Sequence, residues 1–294
     1  MKVNTPLVSI TSAIYNTGPR LLDMVKSIFA QTFTDWELIL LDDGSTDDSH
    51  EIIQSISSPR VRAFTNGQNL GRSVSLNRIT TLARGKYIAR MDSDDMSGAN
   101  RLRKQIELME LNPDIDVVGT GVCYLDKFDK PMGHQYALPL HSEICRNPSR
   151  TIGLCHGSIL GKKTWFEEHR YDESIPFAID FNLFLHSFDR SKFANVPEPL
   201  YYYRLDQSFN LRKQFIDRYI SARFLFRYHK NAGRTGQAFL HWCIQYVKFA
   251  VTALMFSAGF RRKLIAKRFE KISEADMMFY EQEIYKIKNM ELPH

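Results

Sequence analysis

Acidic residues stand at the ends of two short apolar runs, and this placement constrains the fold more than any other feature of the chain. Residues 36–41 form a nearly continuous apolar stretch that gives way to Asp42, Asp43 and Gly44, and residues 87–91 give way to Asp92, Ser93, Asp94 and Asp95. A strand that is apolar along its whole length is buried on both faces, as in a parallel sheet covered by helices. Both acid clusters then fall on the carboxyl edge of one sheet, where open parallel sheets hold their ligands. Taken singly, each cluster is also compatible with a plain turn or a helix cap.

The intervening segments fit that arrangement. Residues 7–14 are rich in β-branched and apolar types and predict a first strand, broken by Asn16, Gly18 and Pro19. Leu21, Leu22, Val25, Ile28 and Phe29 then recur at helical spacing. Ser45 or Thr46 caps a helix carrying Ile52, Ile53 and Ile56, residues 61–64 predict a strand, and a helix through Val74, Ile79 and Leu82 ends near Gly85. Residues 100–111, closed by Asn112 and Pro113, predict a helix leading into a strand at 116–120. Strands separated by single helices imply a doubly wound α/β domain with right-handed crossovers, its mostly parallel sheet covered on both faces. Beyond residue 121 the rhythm is irregular. A polar turn at 126–133, a long connection at 134–150, a strand within 152–160 and a helix over 177–188 are expected.

The chain has 294 residues, 44% of them hydrophobic, with 20 Phe and 13 Tyr, enough for a large domain with a real core and too apolar for disorder. Its net charge of +6 suits a phosphate-bearing ligand or an anionic membrane. No basic run carries interleaved aromatics, so nucleic acid is not an expected partner. Cys123, Cys145, Cys155 and Cys243 lack metal-ligand spacing and are expected as reduced thiols of a cytosolic protein. The N-terminus passes directly into a strand without a signal-sequence pattern, which predicts a cytoplasmic active domain.

Several residues have the chemistry for a site. Asp92, Asp94 and Asp95 offer hard oxygen ligands that suit Mg²⁺ or Mn²⁺ better than zinc. Tyr15, at the end of the first strand, either stacks on a base or is a core-edge aromatic. Asp42 or Asp43 can accept a hydrogen bond from an imide N–H or a ribose hydroxyl. Arg72 either approaches phosphates or is solvated at a helix start. Asp180 lies in the apolar stretch IPFAIDFNLFLH, where an unpartnered acid is costly to bury, and serves equally as a general base or a helix N-cap. His156, in LCHGS, either donates to substrate or is a satisfied structural histidine. Arg204, after three tyrosines, either binds phosphate or acceptor or stacks on those rings. No G-x-G-x-x-G follows the first strand and no G-x-x-x-x-G-K-[ST] is present, which argues against nicotinamide and phosphate-loop chemistry.

The stretches PLVSITSAIYNTG, SIFAQTFTDWELILLDDGSTDDS, NLGRSVSLN, ARGKYIARMDSDDMSGANRLRKQIELMELNPDIDVVG and NVPEPLYYYR occur in an order that resembles glycosyltransferase family 2, from about residue 6 to 204. The resemblance implies a GT-A fold and inverting, non-processive transfer of one sugar from a nucleotide sugar, commonly a UDP-sugar. The acceptor it implies is a glycan or lipid-linked glycan of surface-polysaccharide assembly, such as lipopolysaccharide or capsule. By the same resemblance, Tyr15 and Asp42 or Asp43 match nucleoside-binding positions, Asp92 and Asp94 fall on the Asp-X-Asp motif, and Asp180 matches the base of a Glu-Asp pair. Two positions depart from the pattern: Ile179 stands where Glu is expected, and Leu76 where many relatives carry Arg before the Asn matched by Asn77. At Leu76 a phosphate contact is either lost or supplied by Arg72 or Arg78, and Ile179 puts substrate positioning at the site in question. Both departures also keep open a glycan-binding or scaffold protein without turnover, and a nucleotidyltransferase is a further alternative on such a sheet. No Gln-X-X-Arg-Trp motif of processive synthases is present.

The enzyme domain is expected over 1–210 and a helical C-terminal region over 211–294. Residues 242–260 carry one formal charge, Lys248, and Gln245, Lys248, Thr252 and Gly259 recur along one side, leaving a broad apolar face. Arg227, Lys230 and Arg234 precede this stretch, and Arg261, Arg262, Lys263, Lys267 and Arg268 follow it. Basic flanks on both sides favour a helix lying on an anionic cytoplasmic membrane surface through 242–268, ahead of a buried helix and a true span. Residues 273–288 predict a packing or oligomer helix.

Overall fold

The computed structural model describes residues 5–147, 152–205, 211–231, 233–259 and 269–292. At the centre of its sheet, β1 (Val8–Ile14) runs parallel to β2 (Trp36–Asp42) on one side and to β4 (Tyr87–Arg90) on the other, and β3 (Val61–Thr65) extends the parallel half beyond β2. The continuous apolar character of β2 follows from its two covered faces. Leu38 and Leu40 join one core with helix α1 (Arg20–Phe29) and helix α4 (Arg101–Leu111), whereas Ile39 and Leu41 join another with α3 (Arg72–Leu82). The short α2 (Ser49–Ser55) connects β2 to β3.

The second half mixes directions. β6 (Val117–Leu125) lies parallel to the long β9 (Phe193–Arg204), while β8 (Leu160–Lys162) runs antiparallel between β4 and β6. A two-residue β5 (Met96–Ser97) closes the far edge on β9, and β7 (Pro131–Gln135) pairs with β6, giving the order β3-β2-β1-β4-β8-β6-β9-β5 with β7 beside β6. Helices α5 (His141–Ile144), α6 (Lys163–Glu168) and α7 (Ile179–Ser187) fill the connections.

Two expectations fail here. The strand expected within 152–160 is a loop with a 3₁₀ turn at His156–Ser158, and only Leu160–Lys162 pairs. Packing dictates this, because Gly157 lies directly against the Tyr201 hydroxyl, where even a Cβ would come within 2.2 Å. The polar turn expected at 126–133 is shorter, since pairing resumes at Pro131. β9 was not foreseen because Pro197 and Pro199 lack N–H donors and break strand patterning. The sheet absorbs them through register shifts opposite Gly121, where an added Cβ would meet the Pro197 carbonyl at 2.5 Å.

After β9, α8 (Leu211–Asn231) and α9 (Thr235–Ser257) form an antiparallel hairpin, with Phe215 against Phe249, Arg218 bonded to Gln245, and His229 stacked on His241. The polar stripe of α9 turns inward: Gln245 is buried, whereas Phe239, Leu240, Val247, Val251 and Leu254 are exposed, Leu254 by 70%. By length and composition α9 could cross a membrane. Phe260 and the basic residues Arg261, Arg262, Lys263, Lys267 and Arg268 lie outside the described residues, as does Arg150. The last helix, α10 (Glu274–Lys288), returns to the sheet, burying Tyr280, Ile284 and Ile287 against Met96, Cys123, Leu125 and Tyr202. Its start is capped by the Ser273 hydroxyl, which accepts from the Asp276 N–H.

Candidate functional site

The loop after β4 lies at the carboxyl edge of the sheet, and its acids have different fates. One Asp92 carboxylate oxygen accepts from both terminal nitrogens of Arg90, each at 2.8 Å, and from Arg72 at the start of α3. Burial opposes its charge, but the Arg72 and Arg90 guanidiniums override that and hold the carboxyl well below its ordinary range. Asp94 is exposed, and its carboxylate accepts no hydrogen bond from another described residue. Partial desolvation and then the neighbouring Asp92 charge push its carboxyl upward, so a cation beside it would be welcome. Asp95 is 1% exposed and accepts from the Tyr201 hydroxyl at 2.8 Å and the Arg204 N–H at 2.7 Å. Its oxygens anchor β9 to the acid loop, and each is engaged by a hydrogen bond within the protein.

Arg204 lies behind the same loop. Its guanidinium is buried and donates to Asp23, to Asp129 and to the Asp94 carbonyl, the last at 2.9 Å. These bonds brace the acid loop from behind. Lys288 of α10 joins the same pair of carboxylates.

On the β1–β2 side, Tyr15 is half-exposed at the end of β1, next to Asn16 with a left-handed φ of 50°. Asp42 and Asp43 are both buried and shape the neighbouring loops. Asp42 accepts from the Ser45 N–H at 2.9 Å and pairs with His50 at 3.0 Å; burial raises its pKa, but these partners bring it below the ordinary value. Asp43 accepts from the Asn66 side chain and from the Leu70 and Gly71 N–H groups, fixing the turn that delivers Arg72. A hydrogen bond of 2.7 Å between the Thr17 and Ser93 hydroxyls joins this side to the acid loop.

Asp180 sits in the first turn of α7, partly exposed and without a hydrogen bond or ion pair among the described residues. The turn begins at Ala178, whose φ of 52° is left-handed, a strained conformation of the sort that clusters where side chains must be aimed. His156 is nearly buried and pairs with the Tyr171 hydroxyl at 2.7 Å. Burial, then Arg90 and Arg72, pushes its pKa well down, so the imidazole is neutral. Asn77 ties α3 to this region by pairing with both the N–H and the carbonyl of Tyr171. Leu76 and Ile179, the two departures from the resemblance, are buried in one apolar cluster.

Sequence reasoning passed over Arg90, Tyr171 and Tyr201. A charge inside an otherwise apolar strand is the signal that would have found Arg90. The two tyrosines, fully wrapped and touching residues far away in sequence, left no local signal.

The donor set suits a hard divalent cation only in part. Among the described residues no three acidic, histidine or cysteine side chains converge on one point. Of the three acids in the loop after β4, Asp94 alone has an unengaged carboxylate, and Asp92 keeps one oxygen beyond its arginine bonds. One or two carboxylates completed by water and substrate phosphate is the pattern by which Mg²⁺ is commonly held.

Comparison with known proteins supplies the remaining findings. Residues 9–170 match the family model described as glycosyl transferase family 2. A protein of Bacillus subtilis (strain 168) named as the glycosyltransferase EpsE is 33% identical over 71% of this chain and 77% of its own length. Among solved structures, the S. aureus TarS 1-349 complex with UDP-GlcNAc superimposes with a TM-score of 0.60 at 15% identity, over 74% of this chain and 66% of that one. The Pyrobaculum calidifontis mannosyltransferase PcManGT, in complex with GDP-Man and Mn²⁺, does so with a TM-score of 0.58 at 13% identity, over 97% and 84%. At such identities the likeness concerns the fold, which is the mixed, mostly parallel GT-A-like sheet with a helical C-terminal region.

Proposed function

Because this chain belongs to glycosyltransferase family 2 and is a nucleotide-sugar glycosyltransferase, we infer that it transfers one sugar, with inversion, from a nucleotide-diphosphate sugar to a hydroxyl of a surface-glycan or lipid-linked acceptor. The observation that carries this reading is the acid loop at the carboxyl edge of the sheet. There Asp92 is locked by two arginines while its neighbour Asp94 stays exposed and unengaged. A UDP-sugar is the favoured donor, in keeping with the TarS complex, and a GDP-sugar is the second choice suggested by PcManGT.

In this mechanism Tyr15 stacks on the base, and the loops shaped by Asp42 and Asp43 receive the nucleoside. Arg72, whose side chain is 54% exposed, is the cation able to turn from Asp92 toward the diphosphate. Asp94 and the second oxygen of Asp92 would hold Mn²⁺ or Mg²⁺, which supplies positive charge against the departing nucleoside diphosphate. Asp180 takes the proton of the acceptor hydroxyl as its oxygen bonds to the anomeric carbon from the face opposite the leaving group. The carbon–oxygen bond to the diphosphate breaks, and its electron pair leaves with the nucleotide. The neutral His156 holds the Tyr171 hydroxyl beside this site. The exposed apolar face of α9 supports a location on the cytoplasmic face of a membrane.

A panel of nucleotide sugars, with and without Mn²⁺, followed by thermal shift and donor hydrolysis, identifies the donor. Asp180→Asn should keep the donor-induced shift and lose transfer by about 100-fold or more. Unchanged transfer by that variant removes Asp180 as the base.

A further inference from the structure

A trough of about 750 Å³ opens between α8 and α9, lined by Arg223, Phe226, Arg227, Lys230, Phe239 and Trp242 among others. It continues into a recess of about 220 Å³ that shares Arg223 and Arg227 and is walled by the 172–175 loop, whose Asp172 is the acid of that lining. Five residues beyond that loop is Asp180.

The chemistry of the trough is divided along its length. Arg223, Arg227 and Lys230 stand at i, i+4 and i+7 of α8, one stripe of its surface. None of the three has an ion-pair partner among the described residues. Facing them from α9, Phe239 and Trp242 stack with centroids 6.0 Å apart, and Phe226 completes the apolar wall. Asp172 is the one acid of the two linings and interacts with Arg227, and Arg223 lies over the Tyr219 ring, so the stripe keeps a net positive charge; bordered by an aromatic wall, it matches a molecule with an anionic group at one end of an apolar chain. The wall is continuous with the exposed face of α9, where Val247, Val251 and Leu254 carry it onward.

Resting on the glycosyltransferase reading, we propose that this trough is the acceptor's carrier site. The phosphate or diphosphate of a single lipid carrier lies between Arg223 and Arg227, its chain runs along Phe226, Phe239 and Trp242, and the attached glycan passes through the recess toward Asp180. The proposal departs from a general membrane-surface role because it assigns one lipid phosphate to a built groove rather than a charged leaflet to a helix face.

Trp242 gives the test a built-in reporter, since Trp36 and Trp165 are both buried elsewhere. The full chain is titrated with farnesyl diphosphate, inorganic diphosphate and farnesol, and with phosphatidylcholine vesicles with and without phosphatidylglycerol, while tryptophan emission and calorimetry are followed. Farnesyl diphosphate should bind at least tenfold tighter than either of its halves and shift the emission. Trp242→Phe should abolish the shift but keep the calorimetric signal. The double variant Arg223→Gln, Arg227→Gln should weaken binding at least tenfold without altering donor hydrolysis. Equal binding of inorganic diphosphate, undiminished binding by the double variant, or occupation of the trough by anionic vesicles as tightly as by the lipid diphosphate would each overturn the proposal. Donor hydrolysis by the unaltered protein is recorded alongside, so a failed trough and a failed transfer reaction give different results.

Discussion

Replacing Arg204 by Met separates bracing from substrate binding. In the native protein the Arg204 side chain is 2% exposed and meets Asp23 at 2.6 Å and Asp129 at 2.5 Å, both largely shielded from water. Removing one partner of a buried pair commonly costs about 3–5 kcal/mol, because the remaining charge is left uncompensated. Lys288 still reaches both carboxylates, and those side chains keep 19% and 13% of their exposure, so the lower end, about 3 kcal/mol, applies. For a domain of this size each kcal/mol moves the midpoint by about 2–4 °C, so Arg204→Met should melt about 6–12 °C lower in calorimetry at neutral pH. Adding Asp129→Asn should recover part of that loss, since the stranded charge is then gone. Donor affinity should fall only as far as the freed Asp94 carbonyl loosens the acid loop, and excess Mn²⁺ and donor should restore it. An unchanged melting point together with abolished donor binding would refute this reasoning and return Arg204 to the substrate.

Two further outcomes follow from single contacts. Gly157→Ala places a methyl group 2.2 Å from the Tyr201 hydroxyl and 2.9 Å from an Asp92 carboxylate oxygen. Overpacking of this kind costs about 1–3 kcal/mol, and donor titration should show at least a tenfold weaker complex if Asp92 belongs to the donor site. Burial works against the Asp129 charge, but Arg204 and Lys288 bring its folded pKa below the ordinary carboxylate value. Its stabilising contribution is therefore complete above the unfolded pKa of about 3.9 and lost as pH falls through the folded one. The melting-point gap between the native chain and Asp129→Asn should be full at about pH 6 and close under acid; a gap independent of pH would contradict the assignment.

How much of this was legible in the sequence depended on whether a residue's role is local. β1 to β4 and their helices were readable because strands covered on both faces have no polar alternation to confuse them, and their carboxyl ends carried the acids. The helix that carries Asp180 was readable for the same local reason. The division of labour within Asp92, Asp94 and Asp95 was not, because it is decided by Arg90, Arg72 and Tyr201, the last from a strand more than a hundred residues away. The ion pairs of Arg204 were not legible because its neighbours in sequence are tyrosines whereas its neighbours in space are Asp23 and Asp129. The irregular second half resisted because β9 tolerates two prolines only by shifting register against β6, a tertiary accommodation.

Leu76 and Ile179 explain one another. Each is nearly inaccessible, and both belong to the cluster that also contains Ile79, Leu183 and Phe184. A lone Arg or a lone Glu at either place would be a buried charge without compensation, whereas apolar residues at both positions cost nothing of the kind. The bonds from Asn77 to Tyr171 tie α3 to the segment that precedes α7. Arg78 cannot take over a phosphate contact without leaving the Thr65 carbonyl and the Asn66 side chain. Arg72, exposed and held by Asp92, is the guanidinium of α3 that the proposed mechanism turns toward a diphosphate, with the uncharged Leu76 offering no contact of that kind.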